Sequence, residues 1–255
     1  MSNPIIEIKN LEKSFGELRI LNKISINVLE GENFIVFGQS GTGKSVLLKC
    51  IVGLLEPDAG EINIYGKSVL NLSNQKLNEV RKSMGFLFQG AALYDSMSVR
   101  ENLQFPLIRN YNFTKEELNQ KTISTLSMVG LENAIDKMPS ELSGGMRKRI
   151  GLARSIITEP KIMLYDEPTT GLDPITSKEI SVLILELQKK LNMTAIVVTH
   201  DLLCAEIIAD RAIVIDKGDI VQEGTIKELT SSDNKLLRNF FSHDIIKSCL
   251  FLVSC

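Results

Sequence analysis

With 255 residues, 44% apolar and 24% charged, the chain is long enough for one large domain or two lobes around a shared core. A formal net charge of -2 excludes the basic field of a nucleic-acid-binding surface, so no nucleic-acid partner is expected. The opening MSNPIIEIKN lacks a basic-then-apolar leader and no apolar run nears the ~20 residues that span a bilayer, so a cytoplasmic protein is expected, reaching a membrane only through a partner.

Alternation marks the first element. Ile24, Ile26 and Val28 point one way and Lys23, Ser25 and Asn27 the other, as in a half-exposed strand. The continuous apolar run of residues 34–37 then ends abruptly in glycines, which predicts a strand buried on both faces of a parallel sheet. Directly after it, Gly38-Gln39-Ser40-Gly41-Thr42-Gly43-Lys44-Ser45 matches G-x-x-x-x-G-K-[ST] in full and leads into a helical pattern beginning at Val46. The glycines permit a tight loop whose backbone N–H groups converge on phosphates at the positive end of that helix. Lys44 sets a positive charge against β- and γ-phosphates, and Ser45 offers a hydroxyl to Mg²⁺, a hard cation that prefers oxygen.

Gln89 follows a short apolar strand over residues 84–88. From about residue 98 to 157 the pattern changes, with helices predicted over 99–105, 114–128 and 145–157 and little that reads as strand. Thr114 before Glu116-Glu117 is a helix start with acids near the positive end of the dipole. Within this stretch lies Leu142-Ser143-Gly144-Gly145-Met146-Arg147-Lys148-Arg149. Ser143, Gly144 and Gly145 precede a helix start, so free N–H groups and a hydroxyl face outward as a second anion site. Two anion sites on one chain suggest two copies arranged head to tail, each nucleotide lying between one copy's loop and the other's LSGG segment.

An apolar strand over 162–165 delivers Asp166 and Glu167 at its carboxyl end, where ligands bind in open α/β sheets. Asp166 suits the magnesium shell and Glu167 the orientation and deprotonation of the attacking water. A further strand over 195–199 ends in His200, and strands over 212–216 and 220–223 flank the turn Lys217-Gly218. Residues 233–241 suit a short closing helix. The apolar end, residues 248–255, is too short to span a membrane, and packing on a dimer partner is the favoured expectation for it. Cys50, Cys204, Cys249 and Cys255 form no CxxC pair and read as free thiols.

Kinases and GTPases share the phosphate loop and the strand-end carboxylate; LSGG, Gln89, Gly171-Leu172-Asp173 and His200 in this order do not belong to them. The ordered set resembles the ABC ATPase family over about residues 5–230. The resemblance implies an α/β fold: a P-loop NTPase (RecA-like) core with an N-terminal antiparallel β region and an inserted helical subdomain. The expected division is a single domain over 1–241, with core residues 1–89 and 160–230, helical residues 90–159, and an apolar tail over 242–255. It implies ATP and Mg²⁺ as ligands, residues 38–46 as the phosphate and metal cradle, and Phe15 stacked on adenine. Gln89 then senses the metal and the membrane partner, Asp173 makes a dimer contact, and His200 meets the γ-phosphate. Residues 87–107 and the form LSGGMRKR further resemble the Mla-type lipid-transport ATPases, which implies an integral-membrane permease, an MCE-domain lipid-binding protein, and a place on the cytoplasmic face of the inner membrane. A solute (for example amino-acid) importer ATPase and a soluble ATPase of the iron–sulfur assembly kind remain alternatives.

Overall fold

A computed structural model describes residues 4–242. In chain order it runs β1 (Ile6–Phe15), β2 (Leu18–Val28), β3 (Asn33–Phe37), α1 (Lys44–Ile51), β4 (Ala59–Ile64), β5 (Lys67–Ser68), α2 (Asn74–Lys82) and β6 (Met84–Leu87). Three helices follow, α3 (Val99–Asn110), α4 (Lys115–Met128) and α5 (Gly144–Ile156). The chain then returns through β7 (Ile162–Asp166), α6 (Pro174–Leu191), β8 (Thr194–Thr199), α7 (Leu202–Ile208), β9 (Arg211–Asp216), β10 (Asp219–Gly224) and α8 (Ile226–Thr230). A last helical stretch covers residues 235–242.

Two sheets form. One is antiparallel, in the order β2-β1-β4-β5; the other has the order β10-β9-β3-β8-β7-β6 and is parallel except for the edge pair β10-β9. The antiparallel sheet is built from residues 6–68, with β4 and β5 joining β1 and β2 after α1. The period of two along each central strand sorts side chains to two cores. Ile35, Phe37, Met163, Tyr165, Ala195 and Val197 face the helical lobe, and Phe34, Val36, Leu164, Ile196 and Val198 face α1 and the antiparallel sheet. Both faces are covered, which is why these strands read as unbroken apolar runs.

The helical lobe is built as expected, with one difference. Thr114 caps α4, accepting from the Glu117 N–H (3.3 Å) while Glu117 accepts from the Thr114 N–H (2.7 Å), and Ser98 and Glu101 form the same reciprocal pair at α3. The helix expected over 99–105 continues through Pro106 to Asn110. Pro106 removes one N–H, but buried Leu103 and Leu107 on either side hold the helix in the lobe core. Asn102, fully buried one turn earlier, donates to the Tyr94, Met97 and Ser98 carbonyls and accepts from the Tyr94 N–H at 2.8 Å.

Lys217 and Gly218 both lie at positive φ (48° and 86°), the turn chemistry that closes the β9-β10 hairpin. Residues 235–242 confirm a closing helix, and its Phe241 meets the Phe37 ring edge-on at 5.4 Å, directly beneath the phosphate loop. Cys50 and Cys204 are buried free thiols, pushed up by burial to about 11 and about 12. Cys249, Cys255 and the apolar segment 248–255 lie outside the described residues. Among the described residues no helix is long and apolar enough to cross a membrane.

Candidate active site

Parallel pairing brings the carboxyl ends of four strands to one edge of the sheet. Phe37 of β3 lies opposite Thr199 of β8, Asp166 of β7 opposite Val198, and Leu87 of β6 opposite Tyr165. The phosphate loop, His200, Asp166-Glu167 and Gln89 all leave from that edge, the position where open α/β sheets bind ligands.

The loop's shape depends on glycine. Gly43 has φ 97°, and a Cβ there would lie 2.8 Å from the Ile20 carbonyl oxygen, so β2 can approach only a residue without a side chain. Gly43 also caps α1 without a side chain, leaving the first N–H groups of the helix to whatever anion the loop holds. Lys44 is buried; its ammonium donates to the Gly38 and Gln39 carbonyls at 2.6 and 3.0 Å and lies 3.4 Å from Glu167 Oε1. Burial pushes its pKa down, against the carboxylates of Glu167 and Asp166, which push it up. Thr42 closes the loop on itself, its hydroxyl donating to the Gln39 carbonyl at 2.9 Å, and Val46 lies in the first turn of α1.

Ser45 Oγ donates to Asp166 Oδ1 at 2.7 Å. The pair fits Mg²⁺: it is an all-oxygen donor set of one hydroxyl and one carboxylate, and no cluster of three or more His, Cys, Asp or Glu occurs among the described residues. Magnesium that shares its shell with phosphates and waters asks for no more protein ligands than these.

Glu167 stands at φ 51°, a left-handed backbone that an L-residue keeps only when its surroundings impose it. Its N–H donates to the Val198 carbonyl (2.9 Å), and its own carbonyl accepts from the Lys148 ammonium (3.2 Å) and the Thr170 N–H (3.3 Å). The side chain is aimed by His200 Nδ1 at 2.8 Å and the Thr170 hydroxyl at 3.2 Å. Burial alone pushes the Glu167 carboxyl up, but the His200 hydrogen bond, the charges of His200 and Lys44, and the Thr170 hydroxyl together hold it below its ordinary value. The same hydrogen bond and the Glu167 charge raise His200. Lys44, Ser45, Asp166, Glu167 and His200 are thus one connected group.

Other expected residues are not joined to this group. Phe15 ends β1, paired with Leu18 on the hairpin whose Ile20 lies against the loop; its ring is 51% exposed, with Lys13 Nζ 5.7 Å from its centre. The half-exposed ring is an apolar surface on the hairpin, not linked to the connected group. The Gln89 side chain is exposed and makes no described hydrogen bond to Ser45 or Asp166. Ser143 caps α5, accepting from the Met146 N–H at 3.2 Å, so Gly144 and Gly145 form the first turn rather than precede it. Ser143 and Gly144 are exposed and no acid occupies that first turn. Asp173 caps α6, accepting from the Ile175 and Thr176 N–H groups and the Thr176 hydroxyl, so within one chain its carboxylate is already engaged.

Three contributors were missed by sequence reading. Thr170 carries no sequence signal beyond its nearness to Glu167. Arg154 donates to the carbonyls of Ala91 (3.0 Å) and Ala92 (2.6 Å), two alanines at positive φ that composition gives no reason to expect in a left-handed turn. Lys148 had a signal: with Leu152 and Ser155 it follows the i, i+4, i+7 spacing of the buried stripe of α5.

Residues 21–170 match the family model described as ABC transporter. The chain is 41% identical to the intermembrane phospholipid transport system ATP-binding protein MlaF of Haemophilus influenzae, over 92% of this chain and 89% of that one. It is 38% identical to the probable ribonucleotide transport ATP-binding protein mkl of Mycobacterium leprae (93% of this chain, 68% of that one) and 40% identical to the methionine import ATP-binding protein MetN of Clostridium tetani (88% and 70%). A solved dimeric structure of the ATP-binding cassette MJ0796, in a post-hydrolysis state bound to ADP and Pi, matches with a TM-score of 0.80 and 32% identity over 87% of this chain and 98% of that one. The phosphate loop, the paired strand-end carboxylates and these likenesses agree: the chain belongs to the ABC transporter family, as an ATP-binding and ATP-hydrolysing subunit.

Proposed function

We propose that the chain drives phospholipid transport between an inner membrane and the outer envelope, as a head-to-tail homodimer bound to a separate permease on the cytoplasmic membrane face. The observation that carries the cargo is the likeness to MlaF, which spans nine-tenths of both chains, 92% and 89%, whereas the mkl and MetN relatives extend well beyond the matched part. The second reading, a solute importer, rests on the 40% identity to MetN.

The chemistry follows from the connected group. The Lys44 ammonium and the N–H groups at the start of α1 bind the β- and γ-phosphates. Ser45 and Asp166 would hold Mg²⁺, with Gln89 as the expected further ligand, and the ion would supply positive charge against the phosphate oxygens. Glu167 orients water and takes its proton as the water oxygen bonds to the γ-phosphorus and the bond to the bridging oxygen breaks. His200 fixes the carboxylate and meets the γ-phosphate. Phe15 stacks on adenine, and Ser143, Gly144 and Gly145 of the partner copy, with Asp173 at the contact, close over the phosphates. The working unit is one ATPase domain over 1–241, whose residues 90–159 carry the partner's anion site away from the core.

A cleft of about 620 Å³ between β6 and the helical lobe offers the permease a seat. Phe86, Phe88, Tyr94 and Phe105 give it aromatic walls, and Arg81 and Arg154 give it positive charge. Its lining residues Phe88 and Ala92 flank Gln89 in the chain, so occupancy there can bias the site. Purification from native membranes in mild detergent tests the reading. A permease with an MCE-domain protein and bound phospholipid is expected; a solute permease with a solute-binding protein would overturn the cargo and leave the ATPase intact.

A further inference from the structure

One face of α5 carries the whole turn after β6. Lys148 Nζ donates to the Gln89 carbonyl; Gly151 leaves room for Ala91, since a Cβ there would lie 2.7 Å from the Ala91 Cβ; and Arg154 holds the Ala91 and Ala92 carbonyls. Residues 89–92 are therefore tied to α5 at three points along the helix. At its other end, one turn before Lys148, the same helix presents Ser143 and Gly144 to solvent.

Lys148 differs from the other two. It is 5% exposed, and its ammonium has no carboxylate within ion-pair distance among the described residues. Both of its described hydrogen bonds go to backbone carbonyls, that of Gln89 and that of Glu167 at 3.2 Å. The second crosses from the helical lobe to the core and is the one described hydrogen bond from that lobe to Glu167. It falls on the peptide whose left-handed backbone aims the carboxylate at His200. A buried ammonium is costly unless its donors are used, and these two carbonyls use two of its three.

We propose that Lys148 is a positioning residue for hydrolysis: it couples the helix that ends in Ser143-Gly144-Gly145 to the backbone of Glu167. A displacement of α5, whether driven by a partner's nucleotide at its N-terminus or by a permease at the Ala91-Ala92 turn, pulls on the Glu167 carbonyl. The carboxylate is then carried into or out of line with the water it acts on. Nucleotide binding, made by Lys44 and the loop, does not pass through Lys148. The inference rests on the reading of Glu167 as the group that acts on the water.

The test compares steady-state hydrolysis and equilibrium MgATP binding in Lys148→Met, Lys148→Gln and Lys148→Arg, with Glu167→Gln alongside. Lys148→Met, which keeps an apolar stem of the same reach as the lysine's four carbons and removes the ammonium with every donor, is expected to lower kcat by at least about tenfold with Kd for MgATP within about twofold of the parent. Lys148→Arg, which retains charge and several donors, is expected to restore kcat to within about threefold. Should Lys148→Met not fold, Lys148→Gln, one atom too short to reach both carbonyls, must show the same split between kcat and Kd. Unchanged kcat in Met or Gln, or equal losses of kcat and binding with no rescue by Arg, would overturn the proposal. If Glu167→Gln is inactive while Lys148→Met is not, the coupling fails and the role of Glu167 stands; if Glu167→Gln hydrolyses ATP normally, that role itself fails.

Discussion

Glu167 shares its carboxylate between His200 and Lys44, and this sharing makes the site titrate. His200 is raised above its ordinary 6.5, so its contribution to stability is complete below that value and is lost as pH rises through the raised pKa. Glu167 is held below its ordinary 4.5, so its contribution is present above 4.5 and is lost as pH falls through the lowered pKa. The pair therefore steadies the protein most between about 4.5 and 6.5. Thermal unfolding without added nucleotide should show the largest gap between parent and His200→Ala in that window, narrowing above it; a gap that does not vary with pH would refute the pairing. Glu167→Gln should bind MgATP and lose hydrolysis by about a hundredfold or more, read as phosphate release. At this scale the sequence was legible where a residue's place is set by its neighbours in the chain, as for Lys44, Ser45, Asp166 and Glu167, which the structure brings together. It was silent where the role depends on a partner distant in sequence. The hold of Lys148 on two carbonyls needs β6, β7 and α5 assembled before it exists.

Elements were readable in proportion to how far local pattern decided them. The buried runs of β3, β7 and β8, the Thr114 start of α4 and the Lys217-Gly218 turn are local, and they stand where expected. Helix α3 was expected only over 99–105, because the packing of Leu103 and Leu107 and the four hydrogen bonds of Asn102 cannot be seen in a window of sequence. Asn102→Ala should accordingly cost about 2–3 kcal/mol in denaturant unfolding, since it strands buried backbone groups around residues 94–98. A loss near zero would mean that water replaces the side chain. A closing helix was expected over 233–241 and lies over 235–242, but its packing on Phe37 of β3 was not expected. Phe241 is buried against Phe37, the last residue before Gly38. Phe241→Ala should cost about 3–4 kcal/mol and weaken nucleotide binding as well, because the cavity opens beneath the loop. A stability loss with unchanged MgATP affinity would separate the two effects and refute the second.

The molecule as a whole carries two half-sites that do not meet within one chain. The sheet edge gathers Lys44, Ser45, Asp166, Glu167 and His200; the helical lobe holds Ser143, Gly144 and Gly145 on an exposed helix start elsewhere. Asp173, spent as the cap of α6, belongs to neither half until something draws it away. The count of anion sites in the sequence suggests that these halves pair across two copies, and that pairing is part of the proposal. The cleft beside Gln89 was not legible, since its aromatic walls come from segments on both sides of the lobe boundary. The most direct measurement is sedimentation velocity of Glu167→Gln with and without MgATP. A monomer that becomes a dimer on adding MgATP, and stays monomeric when Ser143→Arg is added, is expected. A species unchanged by MgATP, or a dimer indifferent to Ser143, would contradict the joining of the two half-sites around ATP.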